Sequence, residues 1–349
     1  MSDSIRTSAP GKLVLLGEYA VVYGAPALVA AVPRRARVTL EDRADARWQI
    51  STPGFSDQLL TFDRHDDPRL GEALPLLRAA LDLLAYRGPG LTVTLDTEAF
   101  FAPQKGASGE ALKLGVGSSA ALCVSLVGAL SKKSGIDRPS LDQAMAAHRH
   151  FQRGRGSGID VAASLYGGLI TFQLAAPGET PIVQPGAALP VHAVWLWSGA
   201  SADTRSRLDR LQRFQNERPN AFAKSFKVLT TSCETAIAAA AAHSADAFLA
   251  SATEFTARLA DLDEQAELGV WTAAHRRLAA LADTFGLLYK TSGAGGGDCG
   301  LALHSDVERL LAFQEAARVE GFPSWDLAAD QAGLALEQAG SGKNAPVLR

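Results

Sequence analysis

Short apolar runs typical of buried strands alternate with helical patterns through the first 185 residues. The strand-like runs lie at Val14–Leu16, Ala27–Val32, Arg37–Glu41, Leu91–Leu95 and Gly168–Gln173. Apolar residues at helical spacing predict helices over Leu74–Ala85, Ser119–Leu130 and Ser140–Gln152. The last of these opens with Ser140 three residues before Gln143, which is the spacing of a capping box. This interleaving predicts an α+β domain rather than a doubly wound parallel sheet.

A stretch with four prolines and little periodicity, residues 176–190, predicts a linker to a second domain. Beyond it, Val191–Trp197 has the pattern of a buried strand, and helical patterns then dominate. Those patterns and one further strand lie at Ala236–Ala242, Ala245–Leu262, Val270–Phe285 and, for the strand, Cys299–His304. A last helix is expected to be capped by Ser305 with Glu308. We therefore expect two α+β domains, residues 1–185 and 186–349.

Composition narrows the classes of protein that fit this pattern. The chain has 349 residues, of which 47% are hydrophobic and 20% charged, so disorder is excluded as its main state. The net charge is −3, so the chain lacks the overall positive charge that is typical of nucleic-acid-binding proteins. No apolar run approaches the ~18 residues that cross a membrane, and the N-terminus lacks a signal-peptide core. Three scattered cysteines favour a reducing compartment. We expect a cytoplasmic protein that binds neither nucleic acid nor membrane.

The strongest candidate for chemistry is a glycine-rich loop, residues 113–121, directly before an apolar helix. Gly115 and Gly117 alternate ahead of Ser118 and Ser119. Such a loop directs backbone N–H groups and the positive end of a helix dipole at one point, which suits a phosphate group. The loop matches neither the Walker A nor the dinucleotide-binding pattern. The alternative is a glycine turn with a serine helix cap.

A second glycine-rich segment, residues 291–300, holds five glycines among ten residues. Glycine is costly in regular elements, so this density indicates close backbone approach, either to a ligand or between domains. Asp160 follows a third glycine-rich stretch and either caps a helix or faces a reacting group. Lys12 and Glu18 flank a strand-like run, and alone they read as charges on an edge strand. Basic residues lie at His148, Arg149, His150, Arg153 and Arg155, and again at Arg205 and Arg207.

Taken in order, these motifs resemble those of the GHMP kinase superfamily, which includes galactokinases, homoserine kinases and mevalonate kinases. Residues 9–24, 113–121 and 292–299 look like its N-terminal, phosphate-loop and C-terminal glycine-loop signatures. The resemblance implies an α+β fold of two domains, one like ribosomal S5 domain 2 and one ferredoxin-like. It also implies an active site in the cleft between them, with ATP and Mg²⁺ as cofactors.

Within the superfamily, the segment from Gly293 to Gly300 looks closest to phosphomevalonate kinases, because mevalonate kinases usually carry glycine where Asp298 stands. Mevalonate kinases also place a metal-binding glutamate on the helix before the catalytic aspartate, and Arg149 stands at the matching position here. The implied reaction is the ATP-dependent phosphorylation of 5-phosphomevalonate to 5-diphosphomevalonate.

The resemblance also implies roles for individual residues. The catalytic residues would be Lys12 and Asp160, and the ligand of Mg²⁺ would be Ser119. The ATP phosphates would be held by Gly115, Gly117, Ser118, Ser119 and Ala120. The acceptor would contact Glu18, Lys113, Ser157, Ser292, Gly293, Ala294, Gly295 and Arg205. A monomer or a homodimer is expected.

Three alternatives remain open at this point. A mevalonate kinase or another small-alcohol kinase of the superfamily would have the same fold and ATP site. A catalytically silent sensor would keep the fold without the chemistry, although intact Lys12, Ser119 and Asp160 count against it. A nucleic-acid-binding protein would use the basic stretch 149–155, but the net charge disfavours it.

Overall fold

Two larger β-sheets, a separate two-stranded sheet and the helices that cover them make up the computed structural model, which describes residues 4–105, 111–152, 154, 156–176 and 179–337. The two-stranded sheet pairs residues 101–105 with residues 111–113. In chain order the strands are β1 (Ile5–Leu16), β2 (Ala27–Asp42), β3 (Trp48–Thr52), β4 (Ser56–Phe62), β5 (Leu91–Asp96), β6 (Phe101–Lys105), β7 (Ala111–Lys113), β8 (Leu169–Gln173), β9 (Ile182–Pro185), β10 (His192–Trp197), β11 (Leu288–Thr291), β12 (Cys299–His304), β13 (Ser324–Asp326) and β14 (Ala335–Glu337). The α-helices are α1 (Pro68–Ala73), α2 (Pro75–Leu83), α3 (Ser118–Lys133), α4 (Leu141–Phe151), α5 (Ile159–Tyr166), α6 (Thr204–Glu217), α7 (Pro219–Ala241), α8 (Ala245–Ala266), α9 (Ala273–Thr284) and α10 (Val307–Val319). The expected α+β class is confirmed.

The larger sheet is built on its two longest strands, β1 and β2. Its strand order is β14-β1-β2-β5-β3-β4, with β8 paired to β2 and β9 paired to β8. Every pairing is antiparallel except that of β3 with β5. Helices α3 and α5 pack against β1 and β2, and α4 packs on α2, α3 and α5. The N-terminal ends of α3 and α5 are therefore brought beside β1.

Strand β2 is continuous where the apolar pattern predicts two strands. The β1–β2 register shifts where Pro10 pairs with Arg35 and Gly11 pairs with Val32, which leaves Pro33 and Arg34 in a bulge. Before the bulge β2 also pairs with β8, and after it β2 pairs with β5. The break in the apolar pattern therefore marks a change of partner rather than the end of a strand.

The smaller sheet has the order β11-β12-β10-β13 and is antiparallel throughout. Leu278 on α9 and Phe313 on α10 pack against Val194 and Tyr289 of this sheet. Helices α7 and α8 form an antiparallel pair whose apolar side chains join a core shared with both sheets, including Leu13 of β1 and Leu301 of β12. One apolar cluster therefore spans both sheets, while other clusters belong to one sheet each. None of the helices in the described part of the chain is long and apolar enough to cross a membrane.

Several local expectations can be compared with the structure. The capping box at the start of α4 is confirmed, because Ser140 Oγ accepts from Gln143 N–H and the Gln143 side chain accepts from Ser140 N–H. The expected cap of α10 at Ser305 is wrong: Asp306 is the N-cap, and its carboxylate accepts from Glu308 N–H at 2.9 Å. The capping carboxylate therefore stands one residue later than the sequence pattern suggested.

Three parts of the larger sheet were not expected. Strand β9 pairs with β8 inside the stretch, residues 176–190, that was expected to be a linker. Strand β14 returns to pair with β1, with Arg6 opposite Glu337, so the last described segment lies in the first sheet. The β3–β4 hairpin went unpredicted because β4 exposes most of its side chains and carries little apolar periodicity. The division of the chain between residues 185 and 186 stays a prediction.

A buried ion pair joins the two sheets. Glu18 follows β1 and Lys290 lies on β11, and neither side chain has exposed surface. Lys290 Nζ donates to Glu18 Oε1 and to the Thr291 carbonyl, the latter at 2.6 Å. Burial raises the pKa of Glu18, and the Lys290 ammonium opposes part of that shift. Each charge depends on the other, because an unpaired charge in this position would be costly.

Removing one member of this pair is expected to destabilise the fold strongly. Lys290→Met should lower the free energy of unfolding by about 3–5 kcal/mol, because it leaves Glu18 buried without its partner. The double variant Glu18→Met/Lys290→Met should recover much of that loss, since no lone charge remains. Urea denaturation measures both.

The matched control is Lys132→Met, whose partner Asp137 is 92% exposed. That change should cost less than about 1 kcal/mol. A Lys290→Met variant no less stable than Lys132→Met would contradict the importance given to the buried pair.

Candidate functional site

The phosphate loop ends in a glycine-capped helix. Gly117 is the N-cap of α3 with φ 83°, Gly115 has φ 74°, and no side chain caps the helix. The alternative of a serine cap is therefore wrong. Ser118, Ser119 and Ala120 form the first turn, whose N–H groups lack partners within the helix. The turn presents an electropositive end suited to an anion.

Lys12 lies between the phosphate loop and the C-terminal glycine loop. Its backbone N–H donates to the Val116 carbonyl at 2.8 Å. A Cβ placed on Gly117 would lie 3.2 Å from Lys12 Cγ, and one placed on Gly293 would lie 3.7 Å from Lys12 Nζ. The side chain thus runs across Gly117 towards Gly293. Strand β14 pairs with β1 only at Arg6–Ser8, so at Lys12 the strand has β2 on one side and the phosphate loop, rather than another strand, on the other.

Asp298 brings the two loops together. A Cβ on Gly115 would overlap the Asp298 carboxylate, so only glycine allows this approach. Asp298 itself has φ 53°, and its Oδ1 accepts from Ala202 N–H at 3.0 Å. Burial raises the pKa of Asp298, while the Ala202 hydrogen bond and the nearby Lys12 and Arg207 lower it. No site role was predicted for Asp298, although a lone carboxylate within a glycine run was a usable signal.

Two of the expected acceptor contacts are corrected by the structure. The Glu18 side chain is fully buried and paired with Lys290, so it has no surface to offer a substrate. The Ser292 hydroxyl both accepts from Val14 N–H at 3.0 Å and donates to the Val14 carbonyl at 2.9 Å. These side chains hold the C-terminal loop on β1 instead of contacting an acceptor.

The remainder of the C-terminal loop is held by backbone contacts. The Tyr19 hydroxyl donates to the Ala294 carbonyl at 2.5 Å. Gly296 N–H donates to the Val270 carbonyl at 2.7 Å, and Gly295 packs against Val270. The loop is therefore preformed, with Gly293 at the end nearest Lys12.

Asp160 lies in the first turn of α5, but it does not cap the helix. Gly158 is the N-cap, and Asp160 Oδ1 accepts from Val161 N–H at 3.0 Å. The capping alternative is therefore wrong. Burial raises the pKa of the Cys123 thiol on α3, and the Asp160 carboxylate adds to that shift, which puts Asp160 close to α3. Ser157 Oγ accepts from Ile159 N–H at 3.4 Å.

The two arginines of α6 differ in position. Arg205 is exposed, and its backbone N–H donates to Asp203 Oδ1. Arg207 reaches the C-terminal loop: a Cβ on Gly296 would overlap its guanidinium, which also donates to the Gly269 carbonyl at 3.3 Å. The structure therefore brings Arg207 to the site, and it leaves Arg205 at the surface. Arg153 and Arg155 lie outside the described residues.

The two basic residues near the end of α4 also differ. His148 is 2% exposed, and its Nε2 lies 3.2 Å from Ser119 Oγ. Arg149 is exposed and lines an outer cavity with Tyr23 and Asp142. The residue of α4 that contacts Ser119 is therefore His148 rather than Arg149.

An apolar cavity of about 250 Å³ adjoins the phosphate loop. Its wall includes Phe55, Leu74, Phe101, Leu122 and Phe151, with Ser118, Ser119 and Lys113 at one side. A flat heteroaromatic ring fits such a lining, and a phosphate chain attached to it would reach the N-terminal end of α3.

A resident metal centre does not fit the described side chains. They contain no group of three or more His, Cys, Asp or Glu residues able to hold a metal ion. Magnesium keeps several waters and is commonly bound through one or two protein ligands together with substrate phosphates. The Ser119 hydroxyl suits one such ligand for an ion that arrives with a nucleotide.

The chain is similar to proteins of one known family. Residues 75–168 match the family model for the GHMP kinases N-terminal domain. The chain is 31% identical over 348 residues to the phosphomevalonate kinase of Streptomyces sp. (strain CL190), which covers 86% of this chain and 90% of that protein. It is 27% identical to the mevalonate kinase of Pyrococcus abyssi, over 97% of this chain and 99% of that protein.

A solved structure has the same fold. The phosphomevalonate kinase of Streptococcus pneumoniae, in complex with phosphomevalonate and AMPPNP, superposes with a TM-score of 0.74. The match covers 92% of this chain and 99% of that one at 17% identity.

The close approach of the two loops can be tested at Gly115. Gly115→Ala should cost about 1–2 kcal/mol for its left-handed backbone and more for the overlap with Asp298, and it should weaken nucleotide binding. Gly135→Ala is the matched control, because Gly135 has φ 80° but no atom within 4 Å of an added Cβ. Urea denaturation and calorimetric titration with AMPPNP measure the two effects. Equal losses of stability in the two variants would contradict the Gly115–Asp298 contact.

Proposed function

The chain belongs to the GHMP kinases, and from that premise we propose that it transfers the γ-phosphoryl group of ATP to 5-phosphomevalonate, giving ADP and 5-diphosphomevalonate. The observation that carries this proposal is the position of Lys12 between two preformed glycine loops, one at the N-terminal end of a helix. Such a site gathers positive charge and free N–H groups where two anionic substrates would meet. The extended similarity to a phosphomevalonate kinase supports the choice of acceptor.

The nucleotide would occupy the larger-sheet side of the site. Its phosphates would contact Gly115, Gly117, Ser118, Ser119 and Ala120 at the start of α3, and its base would enter the adjoining apolar cavity. Ser119 would offer a hydroxyl oxygen to the Mg²⁺ of MgATP. That ion would neutralise charge on the phosphates during transfer.

The acceptor would lie between Lys12 and the C-terminal glycine loop. Gly293, Ala294 and Gly295 would contact it through their backbone, and Ser157 and Lys113 remain proposed contacts. Its own phosphate needs a cation, and Arg207 is better placed than Arg205 because its guanidinium packs on Gly296.

The chemistry of a phosphate acceptor differs from that of an alcohol. A phosphate monoester has a second pKa of about 6, so its attacking oxygen is already ionised near neutral pH. A general base is therefore less important than positioning two anions in line and neutralising their charge. Lys12 serves that purpose directly, and Asp160 would act mainly through orientation and local electrostatics.

Mevalonate is the second candidate acceptor. Several relatives that match this chain are mevalonate kinases. The same donor site would serve that reaction, with Asp160 as the base for the alcohol. Cytoplasmic location and a monomeric or homodimeric state remain predictions.

The direct test is an ADP-release assay with MgATP and either 5-phosphomevalonate or mevalonate as the sole acceptor. We expect turnover with 5-phosphomevalonate only. Turnover with mevalonate only would refute the proposed acceptor while leaving the donor site intact. Turnover with neither would favour a catalytically silent protein.

Lys12→Ala is expected to impair turnover more than Asp160→Asn. Loss of one well-placed electrostatic contact typically raises a barrier by about 2.7–4 kcal/mol, or roughly 100- to 1,000-fold in kcat. Asp160→Asn should cost less, because the acceptor oxygen arrives ionised. Steady-state kinetics at pH 7.5, with thermal unfolding as a check on folding, measures both. A much larger loss in Asp160→Asn would favour an alcohol acceptor.

Arg207→Gln is expected to raise KM for 5-phosphomevalonate at least tenfold with little change in KM for MgATP. Arg205→Gln, two residues earlier on the same helix, is the matched control and should change neither constant more than twofold. Equal increases in both KM values for Arg207→Gln would mean that Arg207 supports the loop only as a structural clamp.

A further inference from the structure

The buried imidazole of His148 contacts Ser119 of the phosphate loop. It lies in the last turn of α4, and its Nε2 is 3.2 Å from Ser119 Oγ. His150, in the same turn, is exposed. The contact with Ser119 therefore depends on which face of α4 meets α3. His148 lies on that face.

The contact matters because of how a hydroxyl group behaves when its oxygen serves a cation. The oxygen gives a lone pair to the cation while the group keeps its proton, and that proton then needs an acceptor. A neutral imidazole nitrogen is such an acceptor. Because it takes the hydrogen bond from the serine proton, the lone pairs of the serine oxygen stay available for the cation. A carboxylate in the same place would add a negative charge beside the nucleotide phosphates, whereas an imidazole does not.

Ser119 has no competing use for its hydroxyl in the described structure. Gly117 is the N-cap of α3 and no side chain caps this helix, so the Ser119 hydroxyl does not serve as a helix cap. The hydrogen bond to His148 is thus what selects the direction of the Ser119 hydroxyl.

We propose that His148 is a positioning residue for MgATP: its Nε2 accepts the Ser119 O–H and thereby holds the serine oxygen ready for the cation that accompanies the nucleotide. This inference rests on one part of the proposed function, the binding of a nucleotide at the start of α3. It requires no particular acceptor. Partners that orient a metal-binding side chain typically contribute 10- to 100-fold to metal affinity.

The test is calorimetric titration of the full chain with AMPPNP, once with Mg²⁺ and once with EDTA. In the wild type, Mg²⁺ should tighten binding. His148→Phe should remove at least tenfold of that tightening and leave the affinity in EDTA within twofold. His148→Gln, whose amide oxygen can accept the same hydrogen bond, should retain most of it. His150→Phe is the matched control and should behave as the wild type.

A double-mutant cycle separates positioning from packing. Because His148 acts through Ser119, His148→Gln or His148→Phe should have no further effect on the Mg²⁺-dependent part of binding once Ser119→Ala is present. Steady-state kinetics should show a raised KM for MgATP with the acceptor KM unchanged.

Three results would overturn the inference. These are equal weakening by His148→Phe with and without Mg²⁺, additive losses in the cycle with Ser119→Ala, and failure of His148→Gln to rescue. A wild type that binds AMPPNP with these properties but does not use 5-phosphomevalonate would refute the proposed acceptor and leave the role of His148 standing. A wild type that binds no nucleotide would refute both.

Discussion

The buried ion pair between Glu18 and Lys290 determines where the two sheets meet, and the candidate site depends on that position. The pair lies at the C-terminal end of β1 and on β11, directly before the C-terminal glycine loop. Ser292 continues the connection by bonding both backbone groups of Val14. Together these contacts hold Gly293 beside Lys12 before any ligand binds. The loop geometry is therefore preformed, which reduces the ordering cost that a substrate would otherwise meet.

The site balances charge in a way that suits two anionic substrates. Lys12, Arg207 and the N-terminal end of α3 supply positive potential, while Asp298 supplies a carboxylate close to both cations. Asp298 occupies the space against Gly115 and is electrostatically coupled to both Lys12 and Arg207. Burial raises the pKa of Asp298, while the Ala202 hydrogen bond and the two cations lower it. His148 contacts Ser119 without adding the negative charge of a carboxylate to the site.

The sequence predicted those features that depend on residues close together in the chain. Glycine density identified both loops, and the spacing of Ser140 and Gln143 identified a helix start. The failures at Glu18 and Ser292 share one cause, which is long-range partnering. Glu18 and Ser292 looked available for a substrate, but their partners are 272 and 278 residues away in the chain. Arg205 was preferred over Arg207, and His148 was given no role, because packing sets which side of a helix faces the site and the sequence does not show that choice.

The central claim, that the acceptor is a phosphate and not an alcohol, is most directly tested by competition followed with ³¹P NMR. The enzyme would be given MgATP with equal concentrations of 5-phosphomevalonate and mevalonate. If the acceptor is a phosphate, the monoester signal of 5-phosphomevalonate should fall while two coupled ³¹P resonances of an alkyl diphosphate, separate from those of ADP, appear. Growth of the 5-phosphomevalonate monoester signal as mevalonate is phosphorylated, with no such diphosphate formed, would contradict it.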